Sequence, residues 1–204
     1  MIKGKRISLR PIELEDAKLL QSLMNDIAIS DNVVGWSFPV SLYSQESWIR
    51  TNASDHSTYR FIIIDNETQD AIGLTGLWNI DRYNLSAESA IKILPSIGNK
   101  GVGTEALMLI QAWAFYTVGL RRLYAEILEY NGSSLALYIK KCGWRIEGKQ
   151  KESIFRKGEW HDLYNLAILK SEFDCLANSE EFINLVCNRD IIKYTEYDFF
   201  TGDK

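Results

Sequence analysis

Residues 95–106 read PSIGNKGVGTEA and join an apolar strand to an apolar helix. Alternating residues predict the strand over Ser86–Leu94, and apolar residues at helical spacing predict the helix over Thr104–Val118. Glycines before a helix let the backbone approach a ligand closely, and the free N–H groups and dipole of the helix start favour a phosphate group. The segment therefore predicts a phosphate-binding turn, with an ordinary tight turn as the alternative.

Two common phosphate-binding patterns fit this loop poorly. A P-loop ends in Gly-Lys-Ser/Thr, whereas Lys100 precedes Gly101 here. The dinucleotide pattern G-x-G-x-x-A is satisfied from Gly101 to Ala106, but it normally opens a series of parallel strand–helix units. Here the loop follows strands that short turns join in antiparallel order, so a dinucleotide site is disfavoured.

The remaining elements predict a mixed α/β (α+β) fold, in which helices flank a central sheet of about six to seven strands. A closing hairpin is predicted with its turn at Lys157-Gly158. The predicted strands are Arg6–Arg10, Tyr59–Asp65, Ala71–Ile80, Ser86–Leu94, Leu123–Glu129, Trp144–Phe155 and Trp160–Leu169. The predicted helices are Glu13–Met24, Ser44–Asn52 with Ser44 as its cap, Thr104–Val118 and Ser133–Cys142.

The composition bounds the class of protein. With 204 residues, of which 46% are hydrophobic and 25% charged, the chain suits one folded domain and excludes general disorder. Three cysteines and two histidines lack metal-ligand spacing and a disulfide framework, so a reduced, cytoplasmic protein without a metal is expected. No apolar run approaches the roughly 18 residues of a membrane span, and the N-terminus lacks the apolar stretch of a secretory signal.

The net charge of −4 is located at the C-terminal end. Ser171–Lys204 holds eight acidic and three basic residues, which leaves the rest of the chain nearly neutral. Nucleic acid is not an expected partner, because phosphate binding needs a concentrated basic surface. We expect a domain over residues 1–172 and an acidic C-terminal extension over 173–204, with a short helix at Glu180–Val186 and a strand at Ile191–Phe200.

Several segments resemble, in the same order, the GNAT superfamily of N-acetyltransferases. Gly98–Gly103 resembles the family signature Arg/Gln-x-x-Gly-x-Gly/Ala, with Gly98 in place of the Arg or Gln. Asn131–Trp144 resembles the family segment that starts with Asn, carries a Tyr and ends in Gly-Phe. Ile7–Pro11 resembles the opening strand and Gly158–Asp162 the final hairpin. The resemblance covers about residues 5–172 and is closest to the ribosomal-protein and spermidine N-acetyltransferases.

The resemblance implies a GNAT fold whose parallel strands splay apart at an acetyl-CoA site. It also implies a set of cofactor-binding residues, in the loop, on the strand before it and after the next strand. These residues are Lys92, Ile93, Leu94, Gly98, Asn99, Lys100, Gly101, Val102, Gly103, Thr104, Asn131 and Ser134. The strand residues would offer backbone groups to the pantetheine arm. Asn131 has a turn residue as its alternative role, and Ser134 a helix cap.

Two residues are assigned catalytic roles by the resemblance. Tyr138 is the expected general acid for the departing thiolate, with a tyrosine packed in the core as the alternative. Glu88 is the expected base, with a solvent-facing or ion-paired glutamate as the alternative. A third option needs no base, because the amine can arrive partly deprotonated. Three aromatic residues are expected to shape the acceptor site: Trp36, Phe38 and Tyr43.

The sequence thus predicts an enzyme that moves acetyl from acetyl-CoA to a primary amine by direct attack on the thioester. Candidate acceptors are a protein N-terminus, a polyamine or an amino sugar, and a homodimer is compatible with the sequence. The alternative is a catalytically weak module of the same fold that binds or senses acyl-CoA. The glycine at position 98 favours that alternative, whereas Tyr138 and Asn131 oppose it.

Overall fold

The computed structural model describes residues 1–35, 39–52, 55, 57–98 and 101–178. Within this part of the chain, eight strands form one sheet, in the order β1-β2-β3-β4-β5-β6-β8-β7. The short first strand brings the number above the predicted six to seven. The strands are β1 (Ile2–Lys3), β2 (Ile7–Pro11), β3 (Tyr59–Asp65), β4 (Ala71–Asp81), β5 (Ser86–Ile93), β6 (Arg122–Leu128), β7 (Arg145–Arg156) and β8 (Glu159–Leu169).

The sheet is antiparallel except at one junction. Strands β1 to β5 pair in antiparallel order, and β8 pairs with both β6 and β7 in the same way. Among the described strands, only β5 and β6 run parallel, and they pair over three residues, from Ser86 with Arg122 to Glu88 with Tyr124. Beyond those pairs the two strands separate, which leaves a gap in the sheet.

Six helices cover the two faces of the described sheet. They are α1 (Ala17–Asn25), α2 (Ile27–Ser30), α3 (Leu42–Asn52), α4 (Val102–Ala112), α5 (Gly132–Leu135) and α6 (Lys170–Ala177). A 3₁₀ turn at Leu14–Asp16 precedes α1, and π-helical turns continue α4 over Trp113–Thr117 and α5 over Ala136–Lys141.

Two helix starts differ from the prediction for identifiable reasons. Arg10 donates to both carboxylate oxygens of Asp16 at 2.7 and 2.8 Å, and Asp16 also accepts from the N–H of Glu13. These bonds shape a separate turn, so α1 begins later than predicted. At α3 the hydroxyl of Ser41 accepts from the N–H of Ser44 at 3.1 Å. Ser41 therefore caps the start of α3, and the prediction of Ser44 as the cap is wrong.

The core lies in two layers, one on each face of the sheet. Side chains alternate along each strand, so Ile63 packs in the α4 layer while Ile62 and Ile64 pack against α1. The α4 layer is the larger and includes fully buried Leu107 and Ile110. The gap between β5 and β6 lies between these two layers and opens toward both.

Helix α6 crosses the predicted domain boundary between residues 172 and 173. Its Phe173 is fully buried, and its ring lies 5.3 Å from that of Phe115. The residues up to Ala177 therefore pack with the domain. The helix and strand predicted at Glu180–Val186 and Ile191–Phe200 lie outside the described residues. Among the helices that are described, none has both the length and the apolar character needed to cross a membrane.

Candidate functional site

A buried tyrosine contacts β5 where the gap in the sheet begins. The Tyr138 hydroxyl, from the π-helical continuation of α5, donates to the Ser89 carbonyl of β5 at 3.1 Å. Tyr138 is 3% exposed, and its ring lies edge-on to Trp144 with the centroids 4.9 Å apart. Burial raises the pKa of Tyr138 well above its ordinary value. The hydroxyl is therefore protonated at neutral pH and held at the gap.

Two adjoining cavities open along this gap. The first, of about 460 Å³, is lined by Tyr138, Glu88 and residues of the α2 region. The second, of about 680 Å³, extends to the glycine loop at the start of α4. The two cavities have five lining residues in common, which are Ile91, Ile93, Pro95, Ser133 and Ser134. Together they therefore form one continuous groove.

The glycine end of the groove suits an anion. Gly98, Gly101, Gly103 and Thr104 line the second cavity, and α4 begins there. The first N–H groups of a helix have no intrahelical partners, and the helix dipole favours negative charge beside them. Gly101 has φ +78°, which a residue with a Cβ adopts only with strain.

Basic side chains surround the same end. Lys140 and Lys141, in the last turn after α5, line the second cavity. The guanidinium of Arg6 packs over Gly101, since a Cβ at that glycine would lie 2.7 Å from Arg6 Nη2. Buried Glu105 accepts from the N–H of Arg6 at 2.8 Å and holds the start of β2 against α4. This end thus combines the first N–H groups of a helix with the positive charges of Lys140 and Lys141.

The backbone of β5 faces the gap at every second residue. The Ser89 carbonyl points into the gap, where it accepts a hydrogen bond from the Tyr138 hydroxyl. Successive residues of a strand present their backbone groups to opposite edges, so Ile91 and Ile93 share the edge of Ser89. These residues leave a row of backbone donors and acceptors along the groove.

Lys92 and Leu94 present their backbone groups to the other edge. The N–H of Leu94 donates to the Ile72 carbonyl of β4 at 3.0 Å, and its carbonyl accepts from Ile97 at 3.0 Å. By the same alternation, the backbone of Lys92 faces β4. The geometry therefore corrects the prediction that these two residues offer backbone groups to a ligand, and supports it for Ile93.

A carboxylate faces the first cavity beside the last parallel pair. The Glu88 carboxylate accepts from the side-chain amide of Asn79 at 2.8 Å. Asn79 has φ +50° and lies where the β4–β5 register breaks between Trp78 and Asp81. Burial raises the pKa of Glu88, the Asn79 bond opposes that shift, and the Glu126 carboxylate in the same cavity adds to it.

Asn131 links the start of α5 to the opposite wall of the first cavity. Its side-chain oxygen accepts from the N–H of Ser134 at 3.1 Å and from the Ser133 hydroxyl at 3.0 Å. Its amide donates to the Asn32 carbonyl at 3.0 Å. Asn131, which is 7% exposed, is therefore the cap of α5, and Ser134 receives the cap rather than supplying it.

Comparison with known proteins identifies the family. Residues 6–145 match the acetyltransferase (GNAT) domain. The chain belongs to the GNAT acetyltransferase family. The spermidine N(1)-acetyltransferase of Vibrio cholerae is 26% identical over 173 residues, which cover 83% of this chain and 96% of that protein. The probable N-acetyltransferase YjcK of Bacillus subtilis is 28% identical over 179 residues, covering 84% and 98%.

A solved relative supports the fold assignment. The crystal structure of the V. cholerae spermidine N-acetyltransferase, in complex with CoA and spermine, superposes with a TM-score of 0.78 at 26% identity. The superposition covers 82% of this GNAT chain and 98% of the other. The mixed sheet flanked by helices, predicted from the sequence, is confirmed as a GNAT fold.

The structure brings most of the predicted site residues of this acetyltransferase to one groove. Val102 is the first residue of α4 and its side chain is buried in the core, so only its backbone could contact a ligand. Tyr43 is 80% exposed on α3 and is not among the residues that line either cavity. Trp36 and Phe38 of the acceptor prediction, and Asn99 and Lys100 of the loop, lie outside the described residues.

Sequence reasoning missed several residues that line the groove of this GNAT protein. Lys140 and Lys141 line the glycine end of the groove, and their place shortly after the motif tyrosine was the available signal. Asn79 is the third residue from the end of β4, and no sequence pattern marks it. The hydrogen bond between Asn131 and Asn32 joins residues 99 positions apart, and no local sequence pattern predicts it.

Proposed function

We propose that this protein transfers the acetyl group of acetyl-CoA to a primary amine. The observation that carries the proposal is the gap between β5 and β6. One groove there joins the glycine loop of α4, the buried Tyr138 hydroxyl and the Glu88 carboxylate. A binding site for the cofactor, a donor for its leaving group and an acceptor for the amine proton thus follow one another along a continuous surface.

The described residues fit acetyl-CoA, which supplies an acetyl thioester. The free amides at the start of α4, with Lys140 and Lys141, would hold its phosphate groups. The backbone edge of β5 at Ile91 and Ile93, which pairs with no strand of the described sheet, would hold its amide-containing arm. Gly101 supports the fit, because a side chain there would run into Arg6 and crowd the turn.

Glu88 is proposed to accept the amine proton, directly or through water. A primary amine with pKa near that of lysine, about 10.4, arrives mostly as an ammonium ion at neutral pH and must lose a proton before it attacks. The raised pKa of Glu88 narrows the difference in pKa between the carboxyl group and the ammonium ion. The hydrogen bond from Asn79 holds the carboxylate in place. Loss of the proton to solvent before binding is the competing route.

Tyr138 is proposed as the general acid for the leaving thiolate. A free thiol has pKa about 8.5, below the raised pKa of this phenol. Complete proton transfer from tyrosine to thiolate would therefore be uphill. A hydrogen bond from the hydroxyl stabilises the developing charge without that transfer, so donation of a hydrogen bond is the larger part of the role.

A small amine is the acceptor that the cavity favours. Glu88 and Glu126 both line the first cavity, and carboxylates attract a cationic amine. The relatives named as spermidine N-acetyltransferases act on such an amine. A protein N-terminus and an amino sugar remain candidates of the same chemistry. The proposed domain for this reaction ends after Ala177 rather than at residue 172.

The proposal is tested by thiol release from acetyl-CoA in the presence of a panel of primary amines, with mass spectrometry of the products. Tyr138→Phe should lower kcat about 100-fold and leave acetyl-CoA binding, measured by calorimetry, nearly unchanged. Tyr116→Phe is the matched control, because its hydroxyl bonds to Asp174 at 2.8 Å outside the groove. Unchanged turnover in Tyr138→Phe removes the role. Binding of acetyl-CoA without turnover of any amine supports the sensor module instead.

A further inference from the structure

A lysine lies on the inner wall of the acceptor cavity. Lys92 shares one face of β5 with Ala90 and Glu88, because alternate residues of a strand point the same way. All three line the first cavity, and none lines the second, where the cofactor phosphates are proposed to bind. The Lys92 side chain therefore faces the acceptor rather than the glycine loop.

Within the described part of the chain, the ammonium of Lys92 has no partner of opposite charge. Its hydrogen bond goes to the thioether sulfur of Met24 in α1, at 3.5 Å. A thioether is a weak acceptor, and no carboxylate of the described chain lies within ion-pair distance of Lys92. The side chain is half-buried, and burial lowers its pKa. A partly buried ammonium without a counter-charge is costly, so an anion that enters the cavity would bind there favourably.

The cavity is thus charged with opposite signs at two places. Glu88 and Glu126 lie beside the end of the parallel pairing, and Lys92 lies four residues beyond Glu88 along β5. Four residues of extended strand span about 13 Å between Cα atoms. Among the described lining residues, Lys92 carries the one positive charge of this cavity.

We infer that Lys92 determines acceptor specificity by binding an anionic group, and that the acceptor is an amine that also carries a carboxylate or a phosphate. This inference rests on the proposed function and refines its substrate class. The amine end lies toward Glu88, where its proton can be accepted, and the anionic end pairs with Lys92. A zwitterionic acceptor of this kind differs from a polyamine, which carries positive charge at both ends.

The test compares acceptors that differ in one group. ω-Amino carboxylic acids of increasing chain length are assayed beside their amides, the matching diamines and ω-aminoalkyl phosphates. We expect the best-fitting amino acid or amino phosphate to exceed its neutral or dicationic counterpart about 10- to 100-fold in kcat/KM. Carboxylates against phosphates of equal length decide which anion is bound.

Variants separate the charge from the shape of the side chain. Lys92→Met keeps the length and the strand backbone but should abolish the preference, whereas Lys92→Arg should retain it. Lys18→Met, which removes an exposed charge from α1, should leave the preference intact. Calorimetry of the same compounds on protein saturated with CoA provides a second readout, because binding is then measured without turnover.

The outcomes distinguish the inference from the proposed function. If diamines react as well as amino acids, or if Lys92→Met keeps the preference, the specificity role of Lys92 is overturned while acetyl transfer stands. If no compound releases thiol but the zwitterions bind in a Lys92-dependent manner, acetyl transfer fails and the anion site is supported. Absence of both turnover and binding contradicts both statements.

Discussion

Replacement of Gly101 by alanine tests the cofactor end of the groove. Gly101 precedes the first turn of α4 with φ +78°, and a left-handed conformation costs a residue with a Cβ about 1–2 kcal/mol. The new Cβ would also lie 2.7 Å from Arg6 Nη2. Because Nη2 is the end of a long side chain, Arg6 can move away, so the backbone strain dominates the loss of folding stability.

Gly119 offers a matched control in the same chain. It has φ +79°, and no heavy atom of the described residues lies within 4 Å of the position of an added Cβ. Gly119→Ala therefore carries the same backbone strain without disturbing Arg6 or the start of α4. Each variant should lose about 1–2 kcal/mol of unfolding free energy, and each kcal/mol lowers Tm by about 2–4 °C in a domain of this size.

The two variants should differ in coenzyme binding. In Gly101→Ala, displacement of Arg6 and reorientation of the first amides of α4 remove favourable contacts to phosphate, so we expect Kd for CoA to rise about tenfold. Gly119→Ala should bind CoA like the unaltered protein. Thermal unfolding first measures the stability of each variant. Calorimetric titration of the folded variants with CoA then gives the two Kd values to compare. Equal Kd values in the two variants would refute the assignment of this turn as the phosphate site.

Three further changes test other parts of the molecule. Glu88→Gln should remove the fall in kcat/KM that protonation of Glu88 causes at low pH, because the carboxylate accepts a proton only when it is ionised. The raised pKa of Glu88 places that fall at a higher pH than for an ordinary glutamate. An unaltered pH–rate profile would favour proton loss to solvent. Asn131→Asp keeps the cap oxygen but loses the donor to Asn32, so KM for the amine should rise about tenfold while KM for acetyl-CoA stays nearly constant in steady-state kinetics. Phe173→Ala should cost about 3–5 kcal/mol in urea unfolding, and a loss below about 1 kcal/mol would separate α6 from the domain.

The strands were largely predictable because their residues alternate. The turn at Lys157-Gly158 and the two strands beside it agree with the prediction to within one residue at each end. The alternation also indicates which face of a strand a side chain occupies. It does not indicate which neighbour the backbone meets, because that depends on strand order. The backbone assignments of Lys92 and Leu94 therefore went wrong while that of Ile93 was supported.

The helices were predictable in position but less so in their ends. The predicted Thr104–Val118 helix is a regular helix that begins at Val102 and then changes to a π-helical turn at Trp113. Apolar spacing does not reveal such a change, since both forms bury the same face. The cap at Asn131 was hidden for another reason, because a side chain that bonds both locally and to residue 32 looks like a simple turn in sequence.

The hydrogen bond between Tyr138 and Ser89 connects the fold to the proposed chemistry. A hydroxyl has one proton to donate, so at any instant Tyr138 bonds either to the Ser89 carbonyl of β5 or to a molecule in the groove. In the proposed mechanism, the thioester competes with a peptide carbonyl for that proton. A coenzyme that takes this hydrogen bond must therefore also supply a donor to the Ser89 carbonyl, which is buried and would otherwise be left unpaired.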